Sequence, residues 1–113
     1  MHPVLTEMTE RLRTRVGELH AELARFYGAR LVTLVLYGSH ARADADAASD
    51  IDVLVVLEGQ VAPGREIRRT SAITAWLSLE YDTVISCLFL STDRYQTEQS
   101  PLLMNVRREG IAV

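Results

Sequence analysis

Two short groups of residues in the middle of the chain could carry out chemistry. Gly38-Ser39 follows the apolar run LVTLVLY, and Asp50-Ile51-Asp52 opens a second apolar run, IDVLVVL. Residues two apart on a β-strand point to the same side, so Asp50 and Asp52 are predicted to project together, with Cα atoms roughly 6.5–7 Å apart. An unpaired buried charge is very unfavourable. The pair must therefore face water, a cation or a basic ligand.

This combination of carboxylates with a glycine turn is typical of a metal-dependent phosphate site. Mg²⁺ prefers oxygen ligands and usually binds one or two carboxylates together with substrate phosphates. Gly38 would let the backbone approach an anion closely. Ser39 is predicted to cap a short helix over residues 40–42, with Arg42 adding a charge-assisted contact to phosphate.

The spacing of these groups resembles a known signature. Gly38-Ser39, ten further residues and Asp50-Ile51-Asp52 match the G-S-x₁₀-D-x-D pattern of the polymerase-β-type nucleotidyltransferase superfamily. The stretch GSHARADADAASDIDVLVV is similar to the minimal nucleotidyltransferases of that superfamily. This resemblance implies the superfamily's α+β fold and metal-dependent transfer of a nucleoside monophosphate from a nucleoside triphosphate. The expected substrate is ATP, and the expected metal is Mg²⁺ or Mn²⁺.

The resemblance also assigns roles to individual residues. In the family pattern Gly38 and Ser39 hold the triphosphate, while Asp50 and Asp52 hold the metal ions and are catalytic. One departure from the pattern is Ala43, because many relatives have glycine at this position.

A third catalytic carboxylate is usual in the superfamily, on the strand after the D-x-D strand. Asp82 is the candidate here for a catalytic and metal-binding role, since it opens the run DTVISCLFL, and Glu80 is the reserve. Related chains often carry this carboxylate deeper in the strand, where this sequence has Ser86 or Leu88. If neither Asp82 nor Glu80 reaches the site, we expect nucleotide binding with poor transfer.

The resemblance further implies a partner, since minimal nucleotidyltransferases often act as antitoxins of HEPN-domain toxins. Because the sequence ends at Val113, we expect another protein or a second copy to complete the acceptor pocket. A tyrosine of a HEPN toxin is the expected acceptor. Two alternatives stay open. One is a non-catalytic antitoxin that acts by binding, and the other is a small-molecule, aminoglycoside-type transferase that needs a helical partner subunit.

The composition fits one globular domain over residues 1–113. Hydrophobic residues make up 48% and charged residues 24%, with a net charge of −3, which does not favour direct nucleic-acid binding. Cys87 is the single cysteine, so no internal disulfide forms. The sequence has neither a signal-peptide pattern nor an apolar run near the ~20 residues of a membrane span, so we expect a cytoplasmic protein.

Periodicity predicts an α+β fold in which helices flank a small mixed sheet. The predicted elements are helix 3–27, strands 31–37 and 51–57, helix 65–79, strand 82–90, a helix starting at Ser100-Pro101 and an edge strand over 111–113. The apolar stripe of the first helix is predicted to end at Phe26, and Trp76 is predicted to fill the core. Arg65, Arg68 and Arg69 form a basic cluster that is either a solvated face or a contact for triphosphate or an acidic partner.

Overall fold

Four strands form one mixed sheet in the order β3-β2-β1-β4. The computed structural model describes residues 10–42 and 49–113. Short 3₁₀ turns cover Gly28–Arg30 and Gly38–His40. The helices and strands are α1 (Glu10–Tyr27), β1 (Leu31–Tyr37), β2 (Ile51–Leu57), α2 (Pro63–Tyr81), β3 (Ile85–Ser91), α3 (Thr92–Thr97), α4 (Pro101–Glu109) and β4 (Ile111–Ala112).

The central strand β2 is hydrogen-bonded on both sides. It runs antiparallel to β1 and parallel to β3. The connection between two parallel strands must return along the sheet, and α2 makes this return, so α2 runs antiparallel to both strands. The last turn of α2 therefore lies at the end of the sheet where β2 and β3 begin.

Helices cover both faces of the sheet. On one face α1 and α2 pack against a core that includes Leu19, Leu23, Val53 and Val55. On the other face the buried cluster comprises Val35, Leu54, Val56, Leu90, Leu103 and Val106. Because both faces are covered, the side chains of β2 are buried without interruption from Val53 to Leu57.

The predicted elements are present, with corrections at their ends. Residues 3–9 of the predicted first helix lie outside the described residues, and β3 begins at Ile85 rather than at residue 82. Ser91 and Ser100 cap α3 and α4, because each hydroxyl accepts a hydrogen bond from a backbone N–H three residues later. None of the described helices has the length and apolar content needed to cross a membrane.

The buried stripe of α1 ends one residue later than predicted. Tyr27 is buried, whereas Phe26 is 42% exposed. Leu19, Leu23 and Tyr27 follow at intervals of four, which keeps them on one side of the helix. The Phe26 ring lies at the rim and meets the Tyr27 ring edge-on, with centroids 4.9 Å apart.

The prediction that Trp76 fills the core is wrong. Trp76 is 51% and Leu79 84% exposed. The side of α2 that faces the core carries Glu66, Thr70 and Leu77 instead. Polar residues at two of these positions hide the amphipathic pattern, so apolar periodicity points to the wrong side of the helix.

Glu66 is tolerated in the core because its carboxylate has partners. Its Oε1 accepts hydrogen bonds from the Tyr27 hydroxyl at 2.8 Å and from Arg69 Nη1 at 3.0 Å. Arg30 Nη1 lies 3.8 Å from the other carboxylate oxygen. Burial, with the hydrogen bond to Glu66, raises the pKa of Tyr27. This network joins the end of α1 to the start of α2.

Candidate active site

The end of β1 and the start of β2 bring Gly38 against Asp52. Tyr37, the last residue of β1, pairs with Asp52 in the antiparallel ladder. Gly38 follows with φ +75°, and a Cβ atom added to it would lie 2.5 Å from Asp52 Oδ2. Glycine is required here for two reasons, the positive φ and the lack of space for a side chain.

Asp50 and Asp52 lie together as the sequence predicts. Asp50 is exposed and immediately precedes β2, whereas Asp52 is half-buried within the strand. Burial is the main factor that raises the pKa of Asp52, and the negative charge of Asp50 adds to it. His40 and Arg42 act in the opposite direction. The pair is thus a concentration of negative charge that a bound cation would relieve.

The turn after Gly38 differs from the predicted capped helix. Gly38–His40 is a 3₁₀ turn without a side-chain cap, and the backbone N–H groups of Ala41 and Arg42 both donate to the Gly38 carbonyl. Ser39 therefore lies inside the turn rather than at its cap. The reason is the positive φ of Gly38, which starts the turn one residue earlier. Gly38 lies against the Asp52 carboxylate, and the predicted contact of Gly38 and Ser39 with triphosphate stays a prediction.

His40 has a structural role that the sequence analysis missed. Its Nε2 lies 3.1 Å from the carbonyl oxygen of Ser49, the residue before Asp50. A carbonyl only accepts hydrogen bonds, so Nε2 carries the proton and donates it. The contact joins the two described ends of the connecting loop. Ala43, the departure from the family pattern, lies outside the described residues.

Arg42 is placed at the rim of the site. It is exposed, and its Nη1 lies 3.9 Å from Glu109 Oε2 at the end of α4. Its positive charge lowers the pKa of Asp52 and so partly offsets the increase that burial and Asp50 cause. The predicted contact between Arg42 and phosphate stays a prediction.

The structure does not place Asp82 on β3. Asp82 is the exposed C-cap of α2, with φ +50°, a left-handed conformation that Asp tolerates better than most residues. Glu80 is exposed in the last turn of α2. The residue level with Asp52 in the parallel ladder is Ser86, which is exposed. Within residues 10–42 and 49–113, no three Asp, Glu, His or Cys side chains cluster to hold a metal ion.

A groove of about 760 Å³ lies at the other end of the sheet. It is lined by residues after β2 and at the start of α2 and α3, so it is a strand length away from Asp50. Its lining includes three arginines, Arg30, Arg65 and Arg69, and three carboxylates, those of Glu58, Glu66 and Asp93. Two residues of the predicted basic cluster, Arg65 and Arg69, thus line a groove away from the aspartates, and the contact of the cluster with triphosphate or an acidic partner stays a prediction.

The sequence also matches a known family. A profile described as nucleotidyltransferase domain matches residues 16–102, which include the turn at Gly38 and both aspartates. The chain belongs to this family. A protein of Methanocaldococcus jannaschii named "putative protein adenylyltransferase MJ0141" is 31% identical to this nucleotidyltransferase domain over 98 residues, which cover 87% of this chain and 94% of the relative.

The fold of this nucleotidyltransferase domain is similar to that of a solved protein. The crystal structure of a "putative nucleotidyltransferase" from Sulfolobus solfataricus superposes with a TM-score of 0.50, covering 96% of this chain and 89% of the other. The two sequences are 15% identical, so the likeness concerns the fold alone. The predicted α+β fold with a small mixed sheet is confirmed.

Proposed function

We propose that this nucleotidyltransferase domain transfers AMP from ATP to a hydroxyl group of a protein acceptor in a metal-dependent reaction. The observation that carries the proposal is the placement of Asp50 and Asp52 beside the Gly38 turn, at the open end of two paired strands. The name of the Methanocaldococcus relative, "putative protein adenylyltransferase MJ0141", supports a protein as the acceptor. The match to the nucleotidyltransferase family supports the reaction class.

The residues present fit a hard divalent cation. Asp50 and Asp52 offer carboxylate oxygens close together at the start of β2. Burial raises the pKa of Asp52, and the negative charge of Asp50 adds to this increase. Two carboxylates completed by phosphate oxygens and water form a usual Mg²⁺ environment. A bound Mg²⁺ or Mn²⁺ would neutralise the phosphates and stabilise charge on the attacking and leaving oxygens.

The chain's own contribution to transfer is positioning and electrostatics. The Gly38 turn lets backbone approach the triphosphate, and Arg42 adds positive charge at the rim. The acceptor hydroxyl oxygen forms a bond to the α-phosphorus, and the bond between that phosphorus and the oxygen bridging to the β-phosphorus breaks. Pyrophosphate leaves with the electron pair, and the hydroxyl proton passes to water.

The acceptor in this proposal is a tyrosine of a HEPN-domain toxin, which this chain modifies as its antitoxin. Resemblance to the minimal nucleotidyltransferases supports this partner. A second candidate is neutralisation by binding alone. It is favoured by the absence of a carboxylate at Ser86 and Leu88, the two positions where related chains often carry one; Ser86 lies level with Asp52.

The test is transfer of label from α-labelled ATP to a HEPN-domain protein in the presence of Mg²⁺. Asp50→Asn and Asp52→Asn are expected to abolish labelling. Glu58→Gln is the matched control, because Glu58 is an exposed carboxylate at the opposite end of β2. Labelling that survives Asp52→Asn would overturn the proposed site.

The other outcomes separate the alternatives. Co-elution of the two proteins without labelling would support neutralisation by binding. Label on an aminoglycoside, with none on protein, would support a small-molecule transferase. Mn²⁺ is expected to bind more tightly when ATP is present than without it, because the described residues supply only two carboxylates.

A further inference from the structure

We propose that the outward side of α2 is the docking surface for a helix of the protein acceptor, apolar at one end and acidic at the other. The proposal rests on the proposed function, from which the acceptor is taken. The surface, called the α2 stripe below, consists of Arg65, Arg68, Ala72, Ala75, Trp76 and Leu79.

The α2 stripe has the geometry of a helix-packing surface. Its residues recur at intervals of three and four, so they occupy an arc of about 100° and a length of about 21 Å along the helix. All six are exposed, and Leu79, at 84%, is the most exposed of the large apolar residues that the structure describes. Small alanines between larger residues let another helix approach closely. A helix that presents apolar residues at the same spacing would bury this stripe.

Charge divides the α2 stripe into two halves. Arg65 and Arg68 form the half near the start of the helix, and Trp76 and Leu79 form the half near its end. Neither arginine forms an ion pair within the described part of the chain. Basic side chains in the first turns of a helix are unfavourable beside its positive dipole end. A partner with carboxylates at this point would therefore be attracted both to the arginines and to the helix terminus.

The separation of the α2 stripe into a basic half and an apolar half disfavours a second copy of this chain as the protein that binds there. If two copies of α2 packed in parallel, Arg65 and Arg68 would meet the same arginines of the other copy. If they packed antiparallel, the arginines would meet Trp76 and Leu79, so the apolar halves of the two copies would not cover each other. A helix of another protein could place carboxylates on Arg65 and Arg68 and apolar side chains on Trp76 and Leu79.

The apolar half of the α2 stripe lies at the end of the sheet that carries the aspartates. After α2 the chain turns into β3, and Val84 in this turn is 58% exposed. The Val84 carbonyl accepts a hydrogen bond from the N–H of Ile51, at 2.9 Å, which puts Val84 beside Asp50. Although α2 covers the opposite face of the sheet from Asp52, β3 is an edge strand. A protein seated on Leu79 can reach around this edge to the site.

Trp76 makes docking measurable, because it is the single tryptophan of the chain and half of it is exposed. The probe is a synthetic helix of about three heptads with leucine along one stripe and glutamate at one end. The matched probe carries lysine in place of glutamate. We expect the acidic probe to shift Trp76 emission to the blue, and the lysine probe to bind about tenfold or more weakly.

Variants of the full chain locate the contact. Leu79→Gln is expected to weaken binding of the acidic probe about tenfold or more, because the probe would no longer remove a leucine side chain from water. Ile67→Gln is the matched control, since Ile67 is 48% exposed on another side of α2. Joint replacement Arg65→Glu and Arg68→Glu is expected to reverse the preference toward the lysine probe. Arg11→Glu, an exposed position on α1, should leave it unchanged.

Equal binding of both probes would overturn the proposal, and so would equal effects of Leu79→Gln and Ile67→Gln. A concentration-dependent blue shift of the chain alone, together with sedimentation as a dimer, would also overturn it, because the α2 stripe would then be a contact between copies. In the labelling assay Leu79→Gln should raise the KM for the protein acceptor and leave the KM for ATP unchanged. Labelling that is unaffected by Leu79→Gln but lost in Asp50→Asn would leave the proposed function standing and remove the docking surface.

Discussion

A Cβ atom on Gly38 would lie 2.5 Å from Oδ2 of Asp52. The backbone at the end of β1 thus lies directly beside the Asp52 carboxylate of β2. The positive φ of Gly38 holds the turn in this position. The glycine and the aspartate form one unit, in which the shape of the turn and the position of a proposed metal ligand depend on each other.

Gly38→Ala is expected to impair both stability and transfer. A left-handed alanine costs about 1–2 kcal/mol, and the new methyl group must also displace the carboxylate of Asp52. Gly17→Ala is the matched control, because among the described residues no atom beyond the neighbouring backbone of α1 lies within 4 Å of a Cβ at this position. That change should stabilise the fold by roughly 0.5–1 kcal/mol. Urea unfolding and Mn²⁺ binding of both variants test this, and normal Mn²⁺ binding by Gly38→Ala would contradict it.

Asp52→Asn is expected to stabilise the metal-free protein at neutral pH while abolishing transfer. Burial and the charge of Asp50 raise the pKa of Asp52 in the folded state. Folding therefore favours protonated Asp52, and the free energy of unfolding falls as pH rises from the unfolded pKa, ~3.9, through the folded one. Thermal unfolding in chelator across this pH range should show a gain for Asp52→Asn that disappears at acidic pH. Asp50→Asn should bring the folded pKa of Asp52 closer to its unfolded pKa, because this change removes a negative charge that repels the Asp52 carboxylate. A gain independent of pH would show that ionisation is not its cause.

Asp82→Asn is expected to leave transfer and Mn²⁺ binding largely intact. Asp82 caps α2 in a left-handed conformation that asparagine also adopts, so the fold should be kept. Ser86→Asp should instead raise the Mn²⁺ affinity of the nucleotide-free protein, because it adds a carboxylate level with Asp52. Mn²⁺ titration followed by electron paramagnetic resonance compares the two variants. Loss of transfer in Asp82→Asn would make Asp82 the third carboxylate, as the family pattern first suggested.

Tyr27→Phe is expected to destabilise the protein by about 1–3 kcal/mol, because buried Glu66 loses a hydrogen-bond donor. Glu66 is 2% exposed, so water cannot replace the hydroxyl without opening the core. Tyr95→Phe is the matched control, since the Tyr95 hydroxyl makes no hydrogen bond to the described residues. Urea unfolding of both variants gives the comparison. If Tyr27→Phe and Tyr95→Phe lower the free energy of unfolding equally, the hydrogen bond to Glu66 makes no specific contribution to stability.

The strands and the aspartate pair are predictable from the sequence because local rules govern them. Alternation along an extended chain is enough to predict that Asp50 and Asp52 lie together at the start of β2. The glycine turn before them follows from the family spacing. The bounds of β1 and β2 agree with the prediction residue for residue.

Errors arise where distant partners decide the local structure. Glu66 is buried because Tyr27, 39 residues away in sequence, donates to it, and this contact turns the apolar side of α2 outward. Asp82 opens no strand because α2 continues to Tyr81 and needs a cap. The role of His40 depends on its contact with Ser49 across the loop. None of these contacts has a periodic signal in the sequence.

The position of the aspartates at the start of β2 affects how stable the distance between them is against local unfolding. Amides of a strand that is bonded on both sides and buried on both faces exchange with solvent mainly through global unfolding. Strand β2, which positions the two aspartates, is therefore expected to unfold only together with the whole domain. Deuterium uptake along Val53–Leu57 should be as slow as the slowest in the domain, and the two carboxylates keep their geometry for as long as the whole fold survives.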